Sequence, residues 1–104
     1  MKKYEIYLPL KYNDGTDVEP EKLKEIREQL IAVFGAVTVS SLNAQFQGTW
    51  RHGGVEFVDD IIRLEIITEQ DFRSNLFFKK FKQQLKRTLR QFDILITVQT
   101  IETI

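Results

Sequence analysis

The chain has 104 residues with 15 basic and 15 acidic side chains, 42% hydrophobic and 29% charged, and no cysteine. That length fits one domain spanning 1–104, and the composition is that of a globular chain and not of a disordered one. Disulfides, thiolate metal sites and cysteine nucleophiles are excluded, and no apolar run approaches the roughly 20 residues needed to span a bilayer.

The first element runs from Tyr4. Tyr4, Ile6, Leu8 and Leu10 alternate with Glu5, Tyr7 and Pro9, which is the period of a strand with one buried face. Pro9 cannot donate to a ladder, so it belongs near the strand end. Asn13-Asp14-Gly15 marks a turn. The start of the chain runs straight into this strand pattern without a signal-peptide core, and a reducing cytoplasm is the expected setting.

Pro20 opens a helix, because its missing N–H costs nothing at the first helical position. Leu23, Ile26, Leu30 and Val33 or Phe34 recur at steps of three and four and make one apolar stripe. Gly35 is placed to end the helix in the left-handed conformation.

Residues 37–68 read as one long antiparallel hairpin, bulged or broken in the middle. Val37 to Ser40 begin it. A bulge is expected near Ser40-Ser41, a turn at His52-Gly53-Gly54, and an interruption of the returning strand at Asp59-Asp60. A second helix is expected from near Ser74, with Phe78, Phe81, Leu85, Leu89 and Phe92 on one face and basic residues on the rest. Ile94, Ile96 and Val98 alternate in a closing strand.

The order β-α-β-β-α-β is the ferredoxin-like arrangement. It predicts an α+β domain with a four-stranded antiparallel sheet, two helices on one face and a long central hairpin. Ile6, Leu8, Leu64, Ile66, Ile94 and Ile96 should face the helices. The opposite sheet face should then hold Glu5, Tyr7, Arg63, Glu65, Leu95, Thr97, Gln99 and Ile101. That face is mixed: it suits a homodimer interface, the floor of a small-molecule cleft, or a solvated surface with ordinary cross-strand pairs. RNA-recognition domains stack bases on aromatic residues of this face, but the inner strand here offers Arg63 and Glu65.

The hairpin tip holds the only Trp and the only His, in Trp50-Arg51-His52. Trp combines apolar area with a polar handle, and His titrates near neutrality. The structural alternative is a turn whose Trp packs on Phe46, Phe57 or a partner subunit. Glu56, Asp59, Asp60 and Glu65 are acidic oxygen donors, but neighbours in a regular strand point to opposite faces. No metal site and no cofactor are expected.

Charge is unevenly distributed. Residues 1–69 carry a net −4 and residues 70–104 a net +4. Lys79, Lys82, Lys86 and Arg90 fall on one flank of the second helix and form a candidate anion-binding stripe for phosphates, including nucleic acid, or for an anionic membrane surface. The acidic first helix, through Glu21, Glu25 and Glu28, is the expected neutralising neighbour.

Tyr4-Glu5-Ile6-Tyr7-Leu8-Pro9-Leu10 with Asn13-Asp14-Gly15, then Phe34-Gly35-Ala36-Val37-Thr38, Gly48-x-Trp50 and Gly53-Gly54, resemble a group of small uncharacterised bacterial proteins. The resemblance implies a bacterial cytoplasmic setting and transfers no catalytic residue. The functional expectation is a non-enzymatic homodimeric assembly or binding domain, with Tyr7, Trp50, Phe57, Leu95 and Ile101 at its interface or cleft. The first alternative is a small enzyme whose cleft uses Arg51, His52, Arg63 and Glu65. The second is a nucleic-acid-binding accessory protein using the basic helix.

Overall fold

The structure is a computed structural model that describes the backbone of residues 1–39, 46–52 and 55–104, and the side chains of residues 1–39 and 61–104. The expected bulge at Ser40-Ser41 and turn at Gly53-Gly54 lie outside the described residues.

Alternation at Tyr4, Ile6 and Leu8 produces β1 (Lys2–Pro9), with all three side chains buried. Pro9 is its last residue, and the pairing with the C-terminal strand stops earlier, at Ile6. The missing N–H therefore interrupts no ladder on that side. The loop that follows is closed by its own backbone: the Val18 N–H donates to the Leu10 carbonyl at 2.9 Å, and the Asp14 carboxylate accepts from the Thr16 N–H at 2.9 Å. This closure buries Tyr12 and Val18, core residues that alternation alone does not reveal.

Helix α1 (Pro20–Phe34) starts on its proline and ends on Gly35 at φ 84°, whose N–H returns to the Ile31 carbonyl. Ile26 and Leu30 form its buried stripe, with Phe34 packed on the core and Val33 exposed. The two-residue β2 (Thr38–Val39) and then β3 (Phe46–His52) both pair with β4 (Val55–Thr68). Their partners flanking the gap, Leu64 and Ile61, are three positions apart, whereas Val39 and Phe46 are seven apart. β4 runs unbroken through Asp59 and Asp60, which pair with Gly48 and Gln47, so the expected interruption there is corrected.

Helix α2 (Phe72–Thr88) begins two residues before Ser74 because Asp71 caps it, accepting from the Arg73 N–H at 2.8 Å. Its buried stripe is Ser74, Phe78, Phe81 and Leu85. The helix stops before Phe92, which is half exposed and not part of that stripe. β5 (Ile96–Thr100) closes the sheet against β1.

The sheet order is β2-β4-β1-β5, with β3 continuing along the β2 side of β4, and every pairing is antiparallel. This is the ferredoxin-like α+β fold. Ile6, Leu8, Ile62, Leu64 and Ile66 of the sheet form one core with Ile26 and Leu30 of α1 and Phe78, Phe81 and Leu85 of α2. Tyr4 stacks on Phe78 at 4.1 Å between ring centroids, and Phe34, Phe77 and Phe81 extend the aromatic cluster. The helices are tied to each other by a reciprocal amide pair, Gln29 with Gln84, at 2.9 and 3.2 Å. No described helix is long and apolar enough to cross a membrane.

Candidate functional site on the open sheet face

Because the helices take one sheet face, the residues in the opposite phase of β1 and β4 are left on the other. Lys3, Glu5 and Tyr7 from β1 meet Arg63 and Glu65 from β4 there. Register makes Glu5 and Glu65 direct partners, and Tyr7 and Arg63 direct partners. Two carboxylates placed opposite one another repel. Lys3 resolves this by standing between them, its Nζ 3.3 Å from Glu5 Oε1 and 3.6 Å from Glu65 Oε2. Tyr7 donates its hydroxyl proton to Glu5 Oε2 at 2.6 Å, and Arg63 Nη1 lies 3.8 Å from the same oxygen.

Glu5 is thus the hub, with a side chain only 16% exposed on a nominally open face. The Tyr7 hydrogen bond, aided by the Lys3 and Arg63 charges, holds its carboxyl below the ordinary range against the opposing effect of burial. The same hydrogen bond to Glu5, together with desolvation, pushes the Tyr7 phenol up. A carboxylate held ionised is a weak proton acceptor near neutrality, and a phenol held protonated is not a nucleophile. The arrangement is suited to presenting fixed charge and hydrogen-bonding groups.

Tyr7, Arg63 and Glu65 therefore share one face of the sheet. Glu5, expected on this face but not singled out as a site residue, and Lys3, which the sequence reading does not place there, complete the network. The signal was the same two-residue period that placed Tyr7. Leu95 is 58% exposed, and its carbonyl accepts the Tyr7 N–H at 3.1 Å. Ile101 follows β5, half-buried, with its N–H on the Met1 carbonyl at 2.9 Å.

The remaining candidates lie on the hairpin. β1 pairing ends at Pro9 and Ile61, so beyond Ile61 the only described partner of β4 is β3. On this arm Trp50 pairs with Phe57, Arg51 with Glu56 and His52 with Val55. Val55 is eight positions from Arg63 along β4, about 26 Å at the rise of a strand. Arg51 and His52 therefore do not meet Arg63 and Glu65 within one chain, and a cleft built from all four inside a single subunit is ruled out.

The basic stripe is also changed. Arg90 lies past the end of α2 at φ 50°, where its guanidinium sits 3.9 Å from the centroid of the Tyr12 ring. Lys82 pairs with Asp93 at 3.2 Å. Burial pushes the Asp93 carboxyl up, but Lys82, the Ile94 N–H and Lys86 outweigh it and hold the group below its usual range. The neutralising partner is thus Asp93. Glu28, one of the expected α1 partners, instead pairs with Lys24 of its own helix. Lys79 remains exposed and Lys86 half-buried, so the four candidates do not form one unbroken flank. Among the described residues no group of three or more His, Asp or Glu side chains is arranged to hold a metal ion.

No family model matches the chain, and no curated protein does. Solved structures do. A phage SAM lyase in complex with S-methyl-5'-thioadenosine superposes with a TM-score of 0.66 at 12% identity, covering 94% of this chain and 79% of that one. The divalent cation tolerance protein CutA1 from Thermus thermophilus gives 0.62 at 17% identity, covering 99% and 86%. A mutant CutA1 from Pyrococcus horikoshii gives 0.61 at 9% identity, covering 100% and 86%. At such identities the likeness establishes the ferredoxin-like fold over nearly the whole chain and nothing more specific.

Proposed function

We propose that the chain is a non-enzymatic, self-associating binding domain, a homodimer in its simplest form. Its contact surface comprises the β3–β4 arm and the adjoining open sheet face. The observation that carries this reading is the arm, which continues past β1 as a two-stranded ribbon. An isolated hairpin is marginal in water, and its unpaired edges are templates for further pairing. A second copy would cover both. Trp50 and Phe57 are register partners on this arm, and exposed Leu95 adds apolar surface near Tyr7. The ionised Glu5 and protonated Tyr7 favour recognition over proton transfer. A sequence without cysteine, and its resemblance to a small bacterial group, support a bacterial cytoplasmic setting.

Sedimentation of the parent, Trp50→Ala and Tyr7→Ala tests the assignment. Both substitutions are expected to weaken self-association while leaving the circular dichroism of the fold intact. If both keep the parent's mass on dilution, the interface lies elsewhere.

A second reading is a small-ligand cleft between subunits, and the likeness in fold to a lyase solved with S-methyl-5'-thioadenosine supports it. Arg51 and His52 of one copy would have to approach Arg63 and Glu65 of another. This predicts that S-methyl-5'-thioadenosine raises the melting temperature of the parent and not that of Arg63→Ala. No rise at saturating nucleoside removes this reading and leaves the first in place.

A further inference from the structure

We propose that the groove between α2 and the β1–β5 edge, on the helix-bearing side of the sheet, is a binding site for a small carboxylate with a short apolar tail. This goes beyond the self-association reading and uses none of its residues. Asn75, Lys79 and Lys82 recur at steps of four and three and so line one wall from a single face of α2. Tyr4, Ile96 and Val98 come from the sheet, with Tyr4 and Val98 as direct cross-strand partners, and Phe78 completes the lining.

Two observations point to a ligand. Tyr4 is 1% exposed, and its hydroxyl, with under 1 Å² of accessible surface, has no hydrogen-bond partner among the described residues. A buried donor left without an acceptor is costly, and such groups are rare in folded proteins. Phe78 stacks on the Tyr4 ring at 4.1 Å and holds it in place. Burial, and secondarily the Asp71 charge, push the Tyr4 phenol up, so it stays a donor. The second observation is the lining itself. Val98 is an apolar side chain left 45% exposed beside Ile96, while Lys79 stands above with no acidic partner among the described residues. Lys82, by contrast, is committed to Asp93.

These groups read as a chemical specification. The Tyr4 hydroxyl calls for an acceptor and the Lys79 ammonium for negative charge on it, with the Asp71 charge near the phenol acting against that charge. The Asn75 amide can donate to a second oxygen, and Ile96 and Val98 call for an aliphatic tail. The groove volume is about 110 Å³. A cavity of roughly 150 Å³ accommodates benzene, so the groove takes on the order of four heavy atoms of a ligand, and the rest of a slightly longer one lies at its mouth. Recognition requires the ligand's oxygen to reach a hydroxyl that solvent does not, so the Asn75 or Lys79 side chain must shift to admit it.

Butyrate is the probe, with butanol and butylammonium as controls, followed by proton–nitrogen NMR on the intact chain. Butyrate is expected to give saturable shifts centred on Tyr4, Asn75, Lys79 and Val98, and the two controls none. Lys79→Gln should weaken butyrate binding about tenfold, as loss of a charge-assisted hydrogen bond does. Tyr4→Phe should abolish the saturable shifts, yet melt at the same temperature as the parent or higher, because it removes a buried hydroxyl that nothing satisfies. A lowered melting temperature for Tyr4→Phe would mean that the hydroxyl is already satisfied, and the proposal falls. Equal binding of butyrate by parent and Tyr4→Phe, equal response to butanol, or shifts that do not saturate would also overturn it.

Discussion

Replacing Tyr7 by Phe removes one hydroxyl from the hub of the open face and leaves the ring in place. The bond lost is 2.6 Å long and ends on an ionised carboxylate only 16% exposed. Hydrogen bonds to charged groups contribute about 1.5–3 kcal/mol, and solvent screening on an open face lowers this to roughly 1 kcal/mol. With a urea slope near 1–1.5 kcal/mol/M, the unfolding midpoint should fall by about 0.7–1 M at neutral pH. The dependence on pH is the sharper test. Glu5 has a folded pKa below its ordinary value, so its contribution is fully present above about pH 4.3 and is lost as pH falls through the folded value. Tyr7 has a raised folded pKa, so its contribution is present below about pH 10 and is lost as pH rises through the folded value. The destabilisation by Tyr7→Phe should therefore be flat near neutrality and shrink toward both extremes. Urea titrations of Tyr7→Phe, Glu5→Gln and the double mutant, at one fixed protein concentration, give the coupling directly. Zero coupling at neutral pH, or an unchanged effect where Glu5 is protonated, would refute the network as described.

Substitutions at three further positions probe the scaffold. Leu85→Ala empties a fully buried position between α2 and the sheet and should cost about 2–5 kcal/mol by urea denaturation. Gly35→Ala meets no atom within 4 Å of the new Cβ, so its expected cost of about 1 kcal/mol is the backbone strain at φ 84° alone, and Gly35→Asn should cost less. Asp71→Ala removes the cap of α2 and should cost about 1 kcal/mol, with helix content falling first at the α2 N-terminus in hydrogen exchange.

Period and punctuation carried the fold. Pro20 and Gly35 bound α1 because a proline ring and a positive φ each have one natural place on a helix. The alternation at Tyr4, Ile6 and Leu8 likewise leaves one face for the core. The misreadings arise where a neighbour overrides a local signal. Asp59-Asp60 looks like an interruption, yet β3 supplies a continuous ladder across it. Phe92 continues the helical period on paper, but the chain turns through Arg90 before reaching it. Tyr12 and Val18 are buried by a loop whose closure depends on Leu10, Thr16 and Asp14 together.

The site was legible in part for the same reason. One period placed Tyr7, Arg63 and Glu65 on a shared face. Which strands lie side by side decides that Glu5 faces Glu65 and needs Lys3, and that pairing is a tertiary fact. The separation of His52 from Arg63 follows from the unbroken length of β4, which the expected break at Asp59-Asp60 had concealed.

Native mass spectrometry of the gently purified chain tests the central claim most directly. Self-association predicts a species of two 12.3 kDa chains that Trp50→Ala shifts toward monomer, with any added mass reporting a carried ligand. A single 12.3 kDa species at every concentration would contradict it.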